Sequence, residues 1–175
     1  FGQLEASYQC TIWDKEKALV FIINDRWSTH PLHYWHSDAG LFFAPEFKAI
    51  LTWPGFRKKI NYDAIAEYVR MQRVLGTKSF FEDIHRLEFA SYLKYDQTTN
   101  SMEEIQYWMY PEREQQTIDF DEGREEFNRL FQAAIKRCAN EGEEIGVYLS
   151  GGLDSRMIVS SLIKHHQPVH TITYG

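Results

Sequence analysis

The sequence predicts an α+β unit followed by the opening of an α/β unit with a parallel sheet, divided between residues 1–116 and 117–175. Three observations carry this expectation. Residues 8–44 and 84–110 hold short runs of alternating, β-branched or aromatic residues separated by polar turns, the mark of antiparallel strand pairs. Residues 112–117, just after Pro111, are polar and read as a linker. Beyond them come an amphipathic helix, an apolar run, a glycine-containing loop, a second helix and another apolar run, the order of a β-loop-α-β unit.

In chain order, Tyr8, Cys10 and Ile12 alternate with Ser7, Gln9 and Thr11, and a polar turn at 14–17 leads to a second strand at 18–23. After a loop at 24–31, the runs 32–36 and 41–44 flank a turn at 37–40 and form a second hairpin. Residues 46–51 form a short helix ended near Pro54. Asn61 is placed to cap a helix whose Ile65, Tyr68 and Val69 share one face. Residues 84–95 and 102–110 form a third strand pair around a turn at 97–101.

In the second unit, Asp119 precedes Glu122 by three residues, as in a capping box, and opens a helix. Its Phe127, Leu130, Phe131, Ala134, Ile135 and Cys138 recur at helical spacing. The run 145–149 is almost wholly apolar, the composition of a strand buried on both faces of a parallel sheet. Residues 157–166 then read as a helix through Ile158, Leu162 and Ile163, and 169–174 as a second strand.

Composition narrows the function classes. Hydrophobic residues make up 43% and charged residues 25% of the chain, the usage of a folded, water-facing protein. A formal charge of -6 without a block of basic residues argues against nucleic acid as a partner. The nearest basic cluster, Arg57-Lys58-Lys59, reads as a solvated loop. No run approaches the roughly 18 apolar residues that cross a bilayer, so no membrane partner is expected and the cytoplasm is the default location.

Cys10 and Cys138 fit neither a disulfide framework nor a zinc spacing and read as core thiols. His30, His33 and His36 alternate faces and read as structural, and His165 and His166 as complements to a helix C-terminus. The five tryptophans are assigned to packing. A chain opening on Phe1 and stopping at Gly175 after an apolar run reads as a piece of a longer protein.

The candidate site is Leu149-Ser150-Gly151-Gly152-Leu153-Asp154-Ser155, between a strand and a helix start. Two adjacent glycines permit positive φ and close backbone approach, while successive N–H groups and a helix N-terminus form a concave anion site. Ser150 and Ser155 add hydroxyl donors. The lysine of GxxxxGK[ST] is missing, so this is not a Walker A loop. Asp154 would repel polyphosphate unless a divalent cation lay between, which fits a magnesium ligand. The alternative is a plain strand-to-helix turn with Asp154 or Ser155 as an ordinary N-cap.

The run Ser150 to Ser155 after an apolar strand resembles the PP-loop of the ATP pyrophosphatases. The flanking order is similar to asparagine synthetase B and its relatives: Ile12-Trp13-Asp14, Asp25-Arg26, Pro31-Leu32 with Tyr34, Phe43-Ala44 with Glu46 and Lys48-Ala49, Phe80 to Ile84, then Tyr107-Trp108. The resemblance implies the later part of a glutaminase-like domain of the N-terminal-nucleophile type, over 1–116, and the start of a PP-loop synthetase domain, over 117–175. It implies an amidotransferase that adenylates a carboxylate, expected to be aspartate, with loss of pyrophosphate, and transfers to it ammonia from glutamine. ATP and Mg2+ are the implied cofactors and a homodimer is one assembly open to it. Leu149, Ser150, Gly151, Gly152, Asp154 and Ser155 carry over as ATP and pyrophosphate contacts, Asp154 as the Mg2+ ligand, and Thr171, Ile172 and Thr173 as the adenine vicinity.

This sequence also departs from the family. Nothing fills the N-terminal nucleophilic cysteine, since Cys10 lies within a strand, so no catalytic residue of the glutaminase is assigned and the chain alone is expected to be inactive. Glu5 stands where the resemblance implies an aspartate that binds the amino group of glutamine. Asn24, Ser28 and His30 replace an Arg, a Gly and a basic residue of the family loop, and Pro45 replaces a Ser. A lactam-forming or lasso-peptide-cyclising relative with a degenerate glutaminase, or a non-catalytic nucleotide binder, are the alternatives.

Overall fold

Strand formation follows the alternation. In the computed structural model, β1 (Gln9–Asp14) and β2 (Leu19–Asn24) pair antiparallel, and their turn closes where the Lys17 amide donates to Asp14 Oδ1 at 3.1 Å. β3 (His33–Ser37) and β4 (Gly40–Ala44) make the second hairpin. The helices α1 (Phe47–Ile50) and α2 (Tyr62–Met71) follow, and then β5 (His85–Arg86), β6 (Ser91–Asp96) and β7 (Ser101–Gln106). The structure describes residues 2–110, 112, 117–139, 142–165 and 168–173, in two compact units, Phe1–Pro111 and Glu112–Gly175.

The first unit holds two antiparallel sheets, in the orders β1-β2-β6-β7 and β4-β3-β5. Ile22 and Leu93 from the first sheet meet Tyr34 from the second, with Leu32 and Leu87, in one buried cluster. Each such side chain contributes about 2 kcal/mol on leaving water. A second cluster joins Ile50 of α1 to Phe56 and Ile84, walled by Trp35, Phe47 and Phe81. The core thus sits between the sheets and under α1.

A polar knot fixes the loop after β2. Asn24 is fully buried: its Oδ1 accepts from the Ser91 amide at 3.0 Å and its Nδ2 donates to the Glu88 carbonyl at 2.7 Å. Asp25, 2% exposed, accepts from the Tyr8 amide at 3.2 Å, the Trp27 amide at 2.8 Å, and both the amide and the hydroxyl of Thr29. Burial pushes its carboxyl pKa up, but the bonds from Trp27, Thr29 and Tyr8 outweigh this and the net shift is downward.

Several expectations are corrected here. The strand expected over 84–95 is broken in two, with β5 in one sheet and β6 in the other. Leu87 and Ala90 are buried at the crossing and Ala90 takes a φ of 50°. Its partner ends at Gln106, because the Tyr107 hydroxyl turns inward to donate to the Asn24 carbonyl at 2.8 Å. Asn61 does cap α2, accepting from the Ala64 amide at 3.1 Å. The face bearing Ile65, Tyr68 and Val69, however, is exposed, and Ala64 is the buried residue. Glu67, one turn after Ala64, accepts from the Leu75 amide at 3.0 Å and from Lys78.

Cys10 and Cys138 are both exposed rather than core thiols, one on the edge strand β1 and the other in the last turn of a helix. Trp13, Trp27 and Trp53 are exposed by 57%, 66% and 45%, so packing in the core is left to Trp35. His33 is paired with the Pro45 carbonyl and His36 with the Asn100 carbonyl. Burial lowers the pKa of His33 and the charge of Arg86 adds to this, against the Pro45 carbonyl and Glu46.

The second unit is built from α3 (Phe120–Cys138), β8 (Ile145–Tyr148), α4 (Leu153–Leu162) and β9 (Val169–Ile172). Asp119 caps α3 by accepting from the Asp121 amide at 3.0 Å. Phe131, Ala134 and Ile135 are half-buried, whereas Phe127 and Leu130 stay exposed. Gln132 bridges the helices: its Nε2 donates to the buried Ser161 hydroxyl at 2.9 Å, and its Oε1 lies 3.0 Å from His165 Nε2. His165 therefore has a partner in α3, beyond any complement to the helix end.

β8 and β9 pair in parallel, Ile145↔Val169 through Tyr148↔Ile172. β8 is not buried on both faces: Gly146 and Tyr148 are exposed while Ile145 and Val147 are covered in part. Helix α4 starts at Leu153, four residues earlier than expected, and so takes in Asp154 and Ser155. His166, Tyr174 and most of the stretch expected as a linker lie outside the described residues. No helix among the described residues is long and apolar enough to cross a membrane.

Candidate anion-binding site

Strand β8 ends at Tyr148, and the chain must turn at once to start α4. The turn is anchored on β9: the Leu149 amide donates to the Ile172 carbonyl at 2.9 Å, and the Thr173 hydroxyl donates to the Leu149 carbonyl at 3.0 Å. Gly151 makes the reversal at a φ of +77°, a left-handed conformation costly to any residue with a Cβ. Gly152 follows as the N-cap of α4 in an extended conformation, with no side chain capping the helix.

That last point bears on the plain-turn alternative. Asp154 and Ser155 lie inside the first turn of α4, so neither is its N-cap. The Arg156 amide is the first in the helix to bond backward, to the Gly152 carbonyl at 3.3 Å. The earlier amides have no helical acceptor by construction, and together with the helix dipole they favour an anion at this end.

The hydroxyls converge on the same point. Ser150 Oγ and Ser155 Oγ lie 3.1 Å apart, Ser150 Oγ accepts from the Gly152 amide at 3.4 Å, and Ser155 Oγ donates to the Gly152 carbonyl at 3.1 Å. A Cβ on Gly151 would meet nothing within 4 Å, so open space lies over the loop. Ser150, Gly151, Gly152 and Asp154 are exposed. Backbone N–H groups, two hydroxyls and an open approach suit a phosphate oxygen.

The structure brings Leu149, Ser150, Gly151, Gly152, Asp154 and Ser155 together and adds Thr173 through its bond to Leu149. Thr171 and Ile172 lie on β9 opposite Val147 and Tyr148. Glu5 belongs to the first unit, exposed in the segment before β1. Asp154 is a single carboxylate: among the described residues no group of three or more His, Cys, Asp or Glu side chains is placed to hold a metal ion. Magnesium is commonly held by one or two carboxylates together with phosphate oxygens, and Asp154 offers one such carboxylate.

Sequence reasoning missed two features. The first is Arg156, whose Nε reaches the Gly152 carbonyl at 3.3 Å and keeps a guanidinium beside the loop. The signal was a basic residue directly after the motif. The second is the polar knot of Asn24 and Asp25, whose signal is an aspartate able to accept from the backbone two residues on, as Asp25 does from the Trp27 amide.

Both units resemble known proteins. Residues 1–108 match the family described as glutamine amidotransferase domain, and residues 126–175 match the family described as asparagine synthase. Asparagine synthetase [glutamine-hydrolyzing] 2 of Bacillus subtilis is 29% identical over 176 residues, covering 95% of this chain and 23% of that protein. Asparagine synthetase [glutamine-hydrolyzing] 3 of the same organism is 28% identical over 177 residues, covering 96% of this chain and 28% of that protein. The chain thus spans about a quarter of the length of these relatives. With most of its residues matching the first family and the glycine loop falling in the second, the chain belongs to the glutamine amidotransferase domain family and carries the junction of glutaminase and synthetase domains found in glutamine-hydrolysing asparagine synthetases.

Proposed function

We propose that this chain is part of an ATP-dependent carbon–nitrogen ligase of the glutamine-hydrolysing asparagine synthase type, in which the loop of residues 149–155 holds the phosphates of ATP. The observation that carries this is the uncapped start of α4 directly behind Gly151, with Ser150 and Ser155 hydroxyls 3.1 Å apart over it. The second unit is read as the opening of a PP-loop synthetase domain and the first as the later part of an N-terminal-nucleophile glutaminase fold.

Within that reading, backbone amides of the loop and of the first turn of α4 bind phosphate oxygens, and the two serines orient them. Preformed donors of this kind need no rearrangement as charge develops on a leaving pyrophosphate. Asp154 holds Mg2+, which when bound neutralises phosphate charge. Thr173, fixed to Leu149, keeps the end of β9 against the loop, and Thr171 and Ile172 lie toward the adenine. Aspartate is the proposed carboxylate, ammonia from glutamine the proposed nucleophile, and Glu5 a contact for glutamine in the first unit; the cytoplasm is the proposed location.

The test is made on the intact protein that carries this chain. Pyrophosphate release from ATP is measured with each of the twenty amino acids as acceptor. Release that requires aspartate supports the reading. Release that is independent of any acidic amino acid would refute the aspartate assignment, and no release with any acceptor would refute the ligase reading.

A further inference from the structure

Arg156 occupies a position that its local structure does not explain. It lies near the start of α4, where a positive charge opposes the helix dipole. Among the described residues it has no ion-pair partner, not even Asp154 two residues before it. Its Nε donates to the Gly152 carbonyl at 3.3 Å, but that carbonyl already accepts from the Arg156 amide at 3.3 Å and from Ser155 Oγ at 3.1 Å. A carbonyl has two lone pairs, so a third donor is not needed to satisfy it.

What the contact does is hold the guanidinium beside the loop. With Nε turned to Gly152, the terminal nitrogens have no hydrogen-bond partner among the described residues and sit on a planar, permanently charged group suited to phosphate oxygens. The loop otherwise carries one formal charge, the carboxylate of Asp154, and has no lysine. We propose that Arg156 is a specificity residue of the phosphate site, its guanidinium fixed through Gly152 and directed at a polyphosphate anion on the loop, where it supplies the cation that other phosphate loops take from lysine. The inference rests on the reading of the loop as a phosphate site. It goes further in selecting diphosphate or longer anions over a single phosphate, because one guanidinium added to backbone donors rewards the more highly charged ligand.

The experiment is isothermal titration calorimetry of inorganic pyrophosphate and inorganic phosphate into the full chain, at two ionic strengths and without magnesium. The unaltered chain, Arg156→Gln and Arg156→Lys are compared, with circular dichroism to confirm that each keeps its helix content. Expected results are pyrophosphate affinity at least tenfold lower in Arg156→Gln, a shallower dependence on salt, and partial recovery in Arg156→Lys. Equal pyrophosphate affinity in Arg156→Gln and the unaltered chain would overturn the role of Arg156 while leaving the loop site standing. Absence of pyrophosphate binding by the unaltered chain would overturn both.

Discussion

Gln132 and Ser161 meet at 2.9 Å between α3 and α4, and the serine is 2% exposed. This contact, extended by His165 on the other end of the same amide, is the polar tie between the helix that precedes β8 and the helix that carries the loop. Replacing Gln132 with Leu leaves Ser161 buried without its donor. The expected loss is about 1–2 kcal/mol, and adding Ser161→Ala should recover part of it. A double-mutant cycle by urea unfolding measures the coupling, with a favourable interaction of about 1 kcal/mol predicted.

Asp25 is the carboxylate on which the loop after β2 is wound. Asp25→Ala strands the amides of Tyr8, Trp27 and Thr29 and should cost about 3 kcal/mol. Because the pKa of Asp25 is held below its ordinary value of 3.8, the stability it contributes is fully present above that value and is lost as pH falls below it. Acid titration of unfolding free energy checks this: the slope just below the ordinary aspartate range should be smaller in Asp25→Asn than in the unaltered chain.

Tyr34 gives the opposite sign. Its hydroxyl donates to Glu104 Oε2 at 2.9 Å from inside the main cluster. Burial first, and the negative charge and hydrogen bond of Glu104 with it, push its pKa well above the ordinary 10.0. A raised pKa stabilises the fold below the unfolded value, and that contribution is lost as pH climbs past 10.0. Tyr34→Phe should cost about 1 kcal/mol at neutral pH and flatten the alkaline loss of stability, both readable from denaturant midpoints between neutral and alkaline pH.

The Asp154 carboxylate is exposed in the first turn of α4, where it complements the helix dipole. Asp154→Asn should therefore cost well under 1 kcal/mol in stability. Its effect is expected on magnesium instead. The gain in ATP affinity on adding Mg2+ should fall at least tenfold in this variant, measured by calorimetry against the unaltered chain.

Legibility in the sequence followed the range of the forces involved. Local signals were readable: the hairpins around residues 14–17 and 37–40, the Asn61 and Asp119 caps, and the loop of residues 149–155 all depend on neighbours a few positions away. The assignment of β5 and β6 to different sheets was not, because it turns on where Leu87 and Ala90 bury themselves across the core. Which face of α2 is covered was not legible for the same reason: Glu67 bonds to Lys78 and the Leu75 amide beyond the helix, Ala64 is buried, and Ile65 and Val69 are exposed. At the site, the run Ser150 to Ser155 marks the turn itself, while the contact of Arg156 Nε with the Gly152 carbonyl depends on how α4 leaves that turn.

The central claim is that the turn through Gly151 is shaped to hold a phosphate of ATP. The most direct test is equilibrium binding of ATP with Mg2+ to the chain and to Gly151→Val. A β-branched residue at a φ of +77° strains the backbone by about 1–2 kcal/mol and re-aims the loop amides, while its Cβ enters open space. ATP should bind the unaltered chain, with affinity lowered at least tenfold in Gly151→Val and secondary-structure content unchanged by circular dichroism. Equal affinity in the two proteins would contradict the claim.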